Sequence, residues 1–236
     1  PGAHAGTAAA AVSAEEELAR IIPVIEGVKR ERPSALLSVD TYKSEVARVA
    51  VGAGAAIVND VSGLTWDATM AATLAGLDCG ALLMHARGRP DEWKSLPALA
   101  DPFGEVQRGL EQITLQAARA GIAKERIVLD PGFGFGKRYE ENYPLLARFD
   151  ELHALGYPLA AGTSRKSFLG RLIAGATTGM DVKEDAPPGE RLHASVAAAV
   201  VTILKGAHIV RVHDVKETVE AVRVADAVLA RDRTGS

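Results

Sequence analysis

The side chains with the most chemical potential in this 236-residue chain sit at the ends of short apolar runs. Asp40-Thr41 closes one such run, Asn59-Asp60 a second, Leu83-Met-His85 a third, and Asp130-Pro-Gly-Phe-Gly-Phe-Gly-Lys137 a fourth. The turn Gly162-Thr-Ser-Arg-Lys-Ser-Phe168 follows a fifth, and Arg211-Val-His-Asp214 ends the last. In Asp130 to Lys137 a carboxylate precedes alternating glycines, which let a backbone approach a flat ligand, while Phe133 and Phe135 offer either ring faces or core plugs. An Asp that caps its own glycine-rich loop is the plainer reading. The turn Gly162 to Lys166 groups hydroxyls and cations just ahead of a helical pattern from Phe168 to Ala174, where free N–H groups and the helix dipole favour an anion.

Asp40 and Asn59-Asp60 each suit a helix cap when taken singly. Jointly, two carboxylates and a carboxamide present acceptors and an amide donor to a polar heterocycle such as a 2-amino-4-oxo ring system. Met84 fits a core, and its thioether also suits the face of an aromatic ligand. Arg211 and His213 are two residues apart on an extended stretch, hence on one side of it, and with Arg165 and Lys166 they suit a diphosphate or other leaving anion. An ion pair of Arg211 with Asp214 or a neighbouring carboxylate is the competing reading. His85 stands alone with no second histidine at ligand spacing and a single cysteine in the chain, so the residues give no metal site. Arg191 and His193 read as structural or solvated, and residues 181–190 as a surface loop.

The elements that must position these groups alternate. Residues 1–12 are Gly- and Ala-rich and read as a loop; Ser13 with Glu16 has capping-box spacing, and Leu18, Ile21, Ile22, Ile25 and Val28 continue a helix that Pro23 is expected to kink. Strands are expected over 35–39, 55–58, 80–84, 127–129, 158–161 and 209–210. Helices are expected near 46–50, over 67–75, along Phe103, Val106, Leu110, Ile113 and Ala117, and over 141–155, 191–205 and 215–230. Six strand–helix units in a row imply a parallel sheet with right-handed crossovers. Chemical groups at nearly every strand end favour a TIM (β/α)8 barrel over an open doubly wound sheet, whose ligand residues gather at one switch point.

Composition narrows the function. A hydrophobic share of 47% fills a sizeable core, and a net charge of -3 argues against a nucleic-acid binder. Cys79 reads as a small buried residue of a cytoplasmic protein. No eighteen-residue apolar run is present, so no membrane partner is expected.

In this order, Ser38-Val-Asp-Thr-Tyr-Lys43, Asn59-Asp60, Leu83-Met-His85, Asp130 to Lys137, Gly162 to Phe168 and Arg211 to Asp214 resemble the dihydropteroate synthase family, the pterin-binding barrels of folate synthesis. The resemblance implies a single pterin-binding barrel domain over residues 1–236. It further implies condensation of 4-aminobenzoate with 6-hydroxymethyl-7,8-dihydropterin diphosphate, release of diphosphate, Mg2+ as cofactor, a homodimer, and a sulfonamide target. By position it gives Asp40, Asn59, Asp130 and Lys166 to the pterin pocket, and Met84 and Gly162 are expected among the substrate-binding residues. Arg211 and His213 go to the pterin face and the diphosphate, and Phe135, Lys166 and Ser167 to the 4-aminobenzoate side. Lys166, Asp130, Arg211 and His213 are the expected catalytic groups. Pro1-Gly2 is similar to the tail of the family's loop after the second strand, so about six of the eight βα units are expected here, with the family's metal ligand in the N-terminal part not present. A pterin-binding methyltransferase domain and a non-catalytic or truncated pterin-binding barrel are the alternatives. Competition by free diphosphate and failure to incorporate 4-aminobenzoate would distinguish them.

Overall fold

A computed structural model describes residues 12–178 and 184–232. The expected N-terminal loop lies outside these residues except for Val12, as does the 181–183 part of the expected acidic loop. The chain forms two compact units, one of residues 1–96 with 108–129 and the other of residues 97–107 with 130–236.

The first unit opens with α1 (Ala14–Glu31), whose start is fixed as the sequence implies: Ser13 Oγ accepts the Glu16 N–H at 3.1 Å. Glu15, Glu16 and Glu17 occupy its first turn and Lys29 and Arg30 its last, each sign matching the helix dipole, and the helix is continuous through Pro23. Then come β1 (Ser38–Asp40), α2 (Ser44–Gly52), β2 (Ile57–Asp60), α3 (Met70–Gly76), β3 (Gly80–Met84), α4 (Pro102–Ala120) and β4 (Ile127–Asp130). The strands lie in the order β1-β2-β3-β4. β1 and β2 are parallel, with Asp40 opposite Asn59, and β2 and β3 are parallel, with Asp60 opposite Leu83. Ala81, Leu82, Leu83 and Met84 of β3 are all buried, as a strand covered on both faces requires. On α4, Phe103, Val106, Leu110, Ile113 and Ala117 recur at helical spacing and all five are buried. Cys79 is buried beside the Arg126 guanidinium, whose Nε donates to the Cys79 carbonyl at 2.8 Å.

The second unit continues with α5 (Asn142–Ala147), β5 (Ala160–Ala161), α6 (Ser167–Thr178), α7 (Leu192–Leu204), β6 (Ile209–Val210) and α8 (Val215–Asp232). β5 and β6 pair in parallel, Ala160 with Ile209 and Ala161 with Val210. The helix expected over 141–155 divides: α5 stops at Ala147 and a 3-10 stretch runs from Phe149 to Leu155. Phe149 and Leu152 are fully buried, and a three-residue turn places both on the inward side. β5 is shorter than the expected 158–161. Leu159 already pairs outside strand geometry, its carbonyl accepting from both His208 N and Ile209 N and its N–H donating to His208 Nδ1.

Candidate active site

Each strand delivers its polar group at its C-terminal end. Asp40 closes β1, Asn59 and Asp60 close β2, Met84 closes β3 ahead of His85, Asp130 closes β4, Gly162 follows β5 and Arg211 follows β6.

In the first unit Asn59 Nδ2 donates to Asp40 Oδ1 at 2.9 Å, a pairing set by the register of β1 on β2. Asn59 is 5% exposed, and its Oδ1 is buried without a hydrogen-bond partner. Among the described residues that amide oxygen has no donor, a state that costs stability when it is not relieved. Asp60 behaves differently from the joint reading of two carboxylates facing a ligand. It is fully buried and accepts from Ser62 N–H at 2.9 Å, Ser62 Oγ at 2.7 Å and Leu64 N–H at 2.7 Å. Those bonds hold a left-handed turn in which Gly63 has φ 58° and Leu64 φ 68°. A side chain on Gly63 would come within 2.6 Å of the Met84 carbonyl, so the turn lies directly on the end of β3. His85 is buried against α4, where Gly109 leaves the space: a Cβ there would meet the imidazole at 2.2 Å.

In the second unit the loop after β4 is built around Asp130. Its Oδ1 accepts the Gly132 N–H at 2.7 Å and its residue is 5% exposed. Burial pushes the carboxyl up to about 6; the Gly132 N–H and the charges of Lys166, Lys137 and Arg211 pull the other way. Gly132, Gly134 and Gly136 all have positive φ, so each takes a backbone form that side chains resist. Lys137, 6% exposed, donates from Nζ to the carbonyls of Gly132 at 2.8 Å and Phe135 at 3.2 Å. Asn142 Oδ1 accepts the Gly134 N–H at 2.7 Å. Lys137 and Asn142 therefore shape the loop from within. Phe133 is a core plug stacked between Phe149 and Phe168, whereas Phe135 is half-buried with Lys166 Nζ 4.0 Å above its ring.

The turn after β5 presents Lys166 and Arg165 to different tasks. Arg165 has φ 58°, a conformation that costs a non-glycine residue about 1 kcal/mol or more and persists only where its surroundings fix it. Its Nε donates to Asp214 Oδ2 at 3.0 Å and its Nη2 to Oδ1 of the same carboxylate. Arg165 is thus committed to Asp214 and does not join the cations expected at a diphosphate. The Asp214 partner is Arg165, not Arg211. Ser167 opens α6, and Gly162 stands beside Asp130, its Cβ position 3.8 Å from Oδ2.

Arg211 N–H donates to the Ala161 carbonyl at 3.0 Å, which extends the β5–β6 ladder and sets both Arg211 and His213 on the rim. Ser164 Oγ accepts the His213 N–H at 3.2 Å and lies 3.0 Å from Nδ1. A hydroxyl that accepts that amide and donates to Nδ1 leaves Nε2–H as the outward donor. Burial, then the charges of Arg165 and Arg211, lower the His213 pKa below the usual imidazole value, which favours this neutral form.

Asp40 and Asn59 are thus brought together in one unit, and Asp130, Phe135, Gly162, Lys166, Arg211 and His213 in the other. The sequence reading missed Lys137, Asn142, Ser164 and Asp214 as the groups that hold them. Two of these, Lys137 and Asp214, end motifs already singled out, which is the only signal that pointed to them. Among the described residues no three or more His, Cys, Asp or Glu side chains gather as metal ligands.

The family described as pterin binding enzyme matches residues 2–213. The dihydropteroate synthase of Escherichia coli K12 is 46% identical over 223 residues, spanning 94% of this chain and 74% of that protein. A crystallised dihydropteroate synthase of Xanthomonas albilineans in complex with 7,8-dihydropteroate is 42% identical, covers 93% of this chain and 78% of its own, and superposes with a TM-score of 0.80. The Yersinia pestis enzyme in a sulfonamide drug complex is 39% identical, covers 97% and 78%, and gives 0.87. At this likeness the fold is theirs, an α/β TIM barrel, with the six βα units described above. The chain belongs to the pterin binding enzyme family, among its dihydropteroate synthases.

Proposed function

We propose that this chain condenses 4-aminobenzoate with 6-hydroxymethyl-7,8-dihydropterin diphosphate, with Asp130 and Lys166 at the centre of the site. The observation that carries the assignment is the buried Asp130 carboxylate at the end of β4, which feels the charges of Lys166, Lys137 and Arg211 and is an acceptor suited to the amino edge of a pterin. On the family resemblance, Asp40, Asn59, Met84 and Gly162 are proposed as substrate-binding residues; the Asn59 Oδ1, unpaired among the described residues, supports its own assignment by offering an acceptor to a ring N–H. Lys166 and Phe135 make a cation–ring pair suited to a small aromatic carboxylate beside the pterin, and Ser167 is placed with them.

The reaction is a substitution at the pterin methylene carbon. The carbon–oxygen bond to diphosphate breaks with its electron pair leaving on oxygen, the aryl nitrogen forms the new carbon–nitrogen bond, and that nitrogen then releases a proton. Arg211 and the outward Nε2–H of His213 receive the departing charge, and the Asp130 carboxylate stabilises positive charge on the pterin. No protein nucleophile is needed; alignment of the amine with the methylene supplies much of the rate.

Mg2+ chemistry belongs to this reading as a companion of the diphosphate. The described residues provide no cluster that would cage the ion by themselves, so none of these steps is routed through it. A homodimer is proposed as well, on the family resemblance. Sulfonamides, as mimics of the aryl amine, are proposed competitors at Phe135, Lys166 and Ser167. No helix among the described residues is long and apolar enough to cross a membrane, and a cytoplasmic location is proposed.

The test is direct: the intact protein with pterin diphosphate and labelled 4-aminobenzoate should yield labelled dihydropteroate and one diphosphate per product. Pterin binding without labelled product would remove the assignment.

A further inference from the structure

The geometry points to Arg191 as a positioning residue for Lys166, acting with Ser195 through the backbone of Arg165. Arg191 lies just before α7 and is 8% exposed. Its Nε donates to the Ala186 carbonyl at 2.6 Å and its Nη1 to the Arg165 carbonyl at 2.8 Å. The opposite side of Arg165 is held from the same helix: its N–H donates to Ser195 Oγ at 2.8 Å, and that hydroxyl donates to the Arg191 carbonyl at 2.6 Å. Backbone donor and backbone acceptor of the one left-handed residue in the turn are both taken by α7, while its side chain is taken by Asp214.

The residue that follows is Lys166, whose amide bonds the Thr163 carbonyl at 3.3 Å and whose ammonium stands over Phe135. A residue held at φ 58° fixes the direction in which its successor leaves the turn, so the Arg191–Ser195 bracket sets where the Lys166 stem starts. The space for the bracket is also built in. Gly170 of α6 faces Arg191, and a Cβ there would lie 2.4 Å from Nε. The Gly170 carbonyl accepts the Ala186 N–H at 3.1 Å, which fixes the strand of chain that Arg191 holds. A lysine at 191 keeps the charge but offers all its donors from one nitrogen, without the rigid plane that sets Nε and Nη1 of Arg191 on two separate carbonyls.

This inference rests on the assignment of Lys166 to the reacting groups. It is tested with Arg191→Lys and Ser195→Ala in the intact protein, by steady-state kinetics with both substrates and by thermal unfolding. The expected result is a kcat lowered about 10- to 100-fold in each, a misplacement effect, with KM for pterin diphosphate within about twofold of wild type and with the protein folded at the assay temperature. Because Arg191 is buried, Ser195→Ala guards against a variant that loses its fold. Either variant, folded and with unchanged kcat beside an active wild type, overturns the positioning role, as does a kcat loss that only follows the folded fraction. A wild type without synthase activity overturns the functional assignment and the inference together.

Discussion

Asp130 carries two opposed demands. As an acceptor for a pterin it must be ionised, yet burial raises its carboxyl to about 6 from an ordinary 3.8. With the folded value above the unfolded one, the folded state binds the proton more tightly, so stability falls as pH rises from about 4 to 6 and stays lower above it. Two units correspond to about 3 kcal/mol. Asp130→Asn is therefore expected to raise the unfolding temperature at pH 7 while turnover falls at least ~100-fold. In the unsubstituted protein kcat/KM for pterin diphosphate should lose about tenfold per pH unit below about 6; a profile flat to pH 5 would contradict an ionised Asp130 in the site. Lys166→Ala tests the other central group: turnover should fall by about two orders of magnitude or more, measured on a sample shown to be folded at the assay temperature. Near-normal turnover would remove Lys166 from the mechanism.

At the scale of elements, the buried Lys137 ammonium is one of the groups that hold the loop after β4, with Asp130 and Asn142. Lys137→Met keeps the length of the side chain and removes the donor to the Gly132 and Phe135 carbonyls. Leaving buried carbonyls unsatisfied costs about 2 kcal/mol, or roughly 4–8 °C in unfolding temperature for a chain of this size. Activity should fall with it, since Phe135 faces Lys166 from that loop; calorimetry and kinetics on the same sample check both. The expected elements show why some parts of the chain are legible and others are not. β3 matches its expected bounds because the run Cys79 to Met84, six residues without a charge between Asp78 and His85, has one sensible reading. The face of α4 was legible for the same reason, five buried positions at one period. The break after Ala147 was not, because Phe149 and Leu152 satisfy a helical and a 3-10 spacing equally until packing chooses. The candidate residues were legible by type and by their place at strand ends. Their holders Lys137, Asn142 and Ser164 bond mainly backbone groups or a ring nitrogen, and such bonds leave no pattern in sequence. Arg165 read as a diphosphate cation because a basic turn does not show which arginine has met Asp214.

For the whole molecule, identity to dihydropteroate synthases over most of the chain places the activity, while the distribution of charge explains how a chain of net charge -3 handles anionic substrates. Lys166, Arg211 and a neutral His213 concentrate donors locally. Turnover should accordingly require Mg2+ only with the diphosphate: EDTA is expected to abolish it and excess Mg2+ to restore it, with the fold unchanged by circular dichroism. Unfolding on chelation would instead mean a structural ion. Light scattering is expected to give twice the mass of one chain, and a single-chain mass would rule out the homodimer.

Condensation is measured by following labelled 4-aminobenzoate into product in the presence of 6-hydroxymethyl-7,8-dihydropterin diphosphate while diphosphate is counted. Dihydropteroate and diphosphate are expected in equal amounts, both lost in Lys166→Ala. Tight pterin diphosphate binding with neither product formed, in a folded and Mg2+-supplied protein, would contradict the condensation.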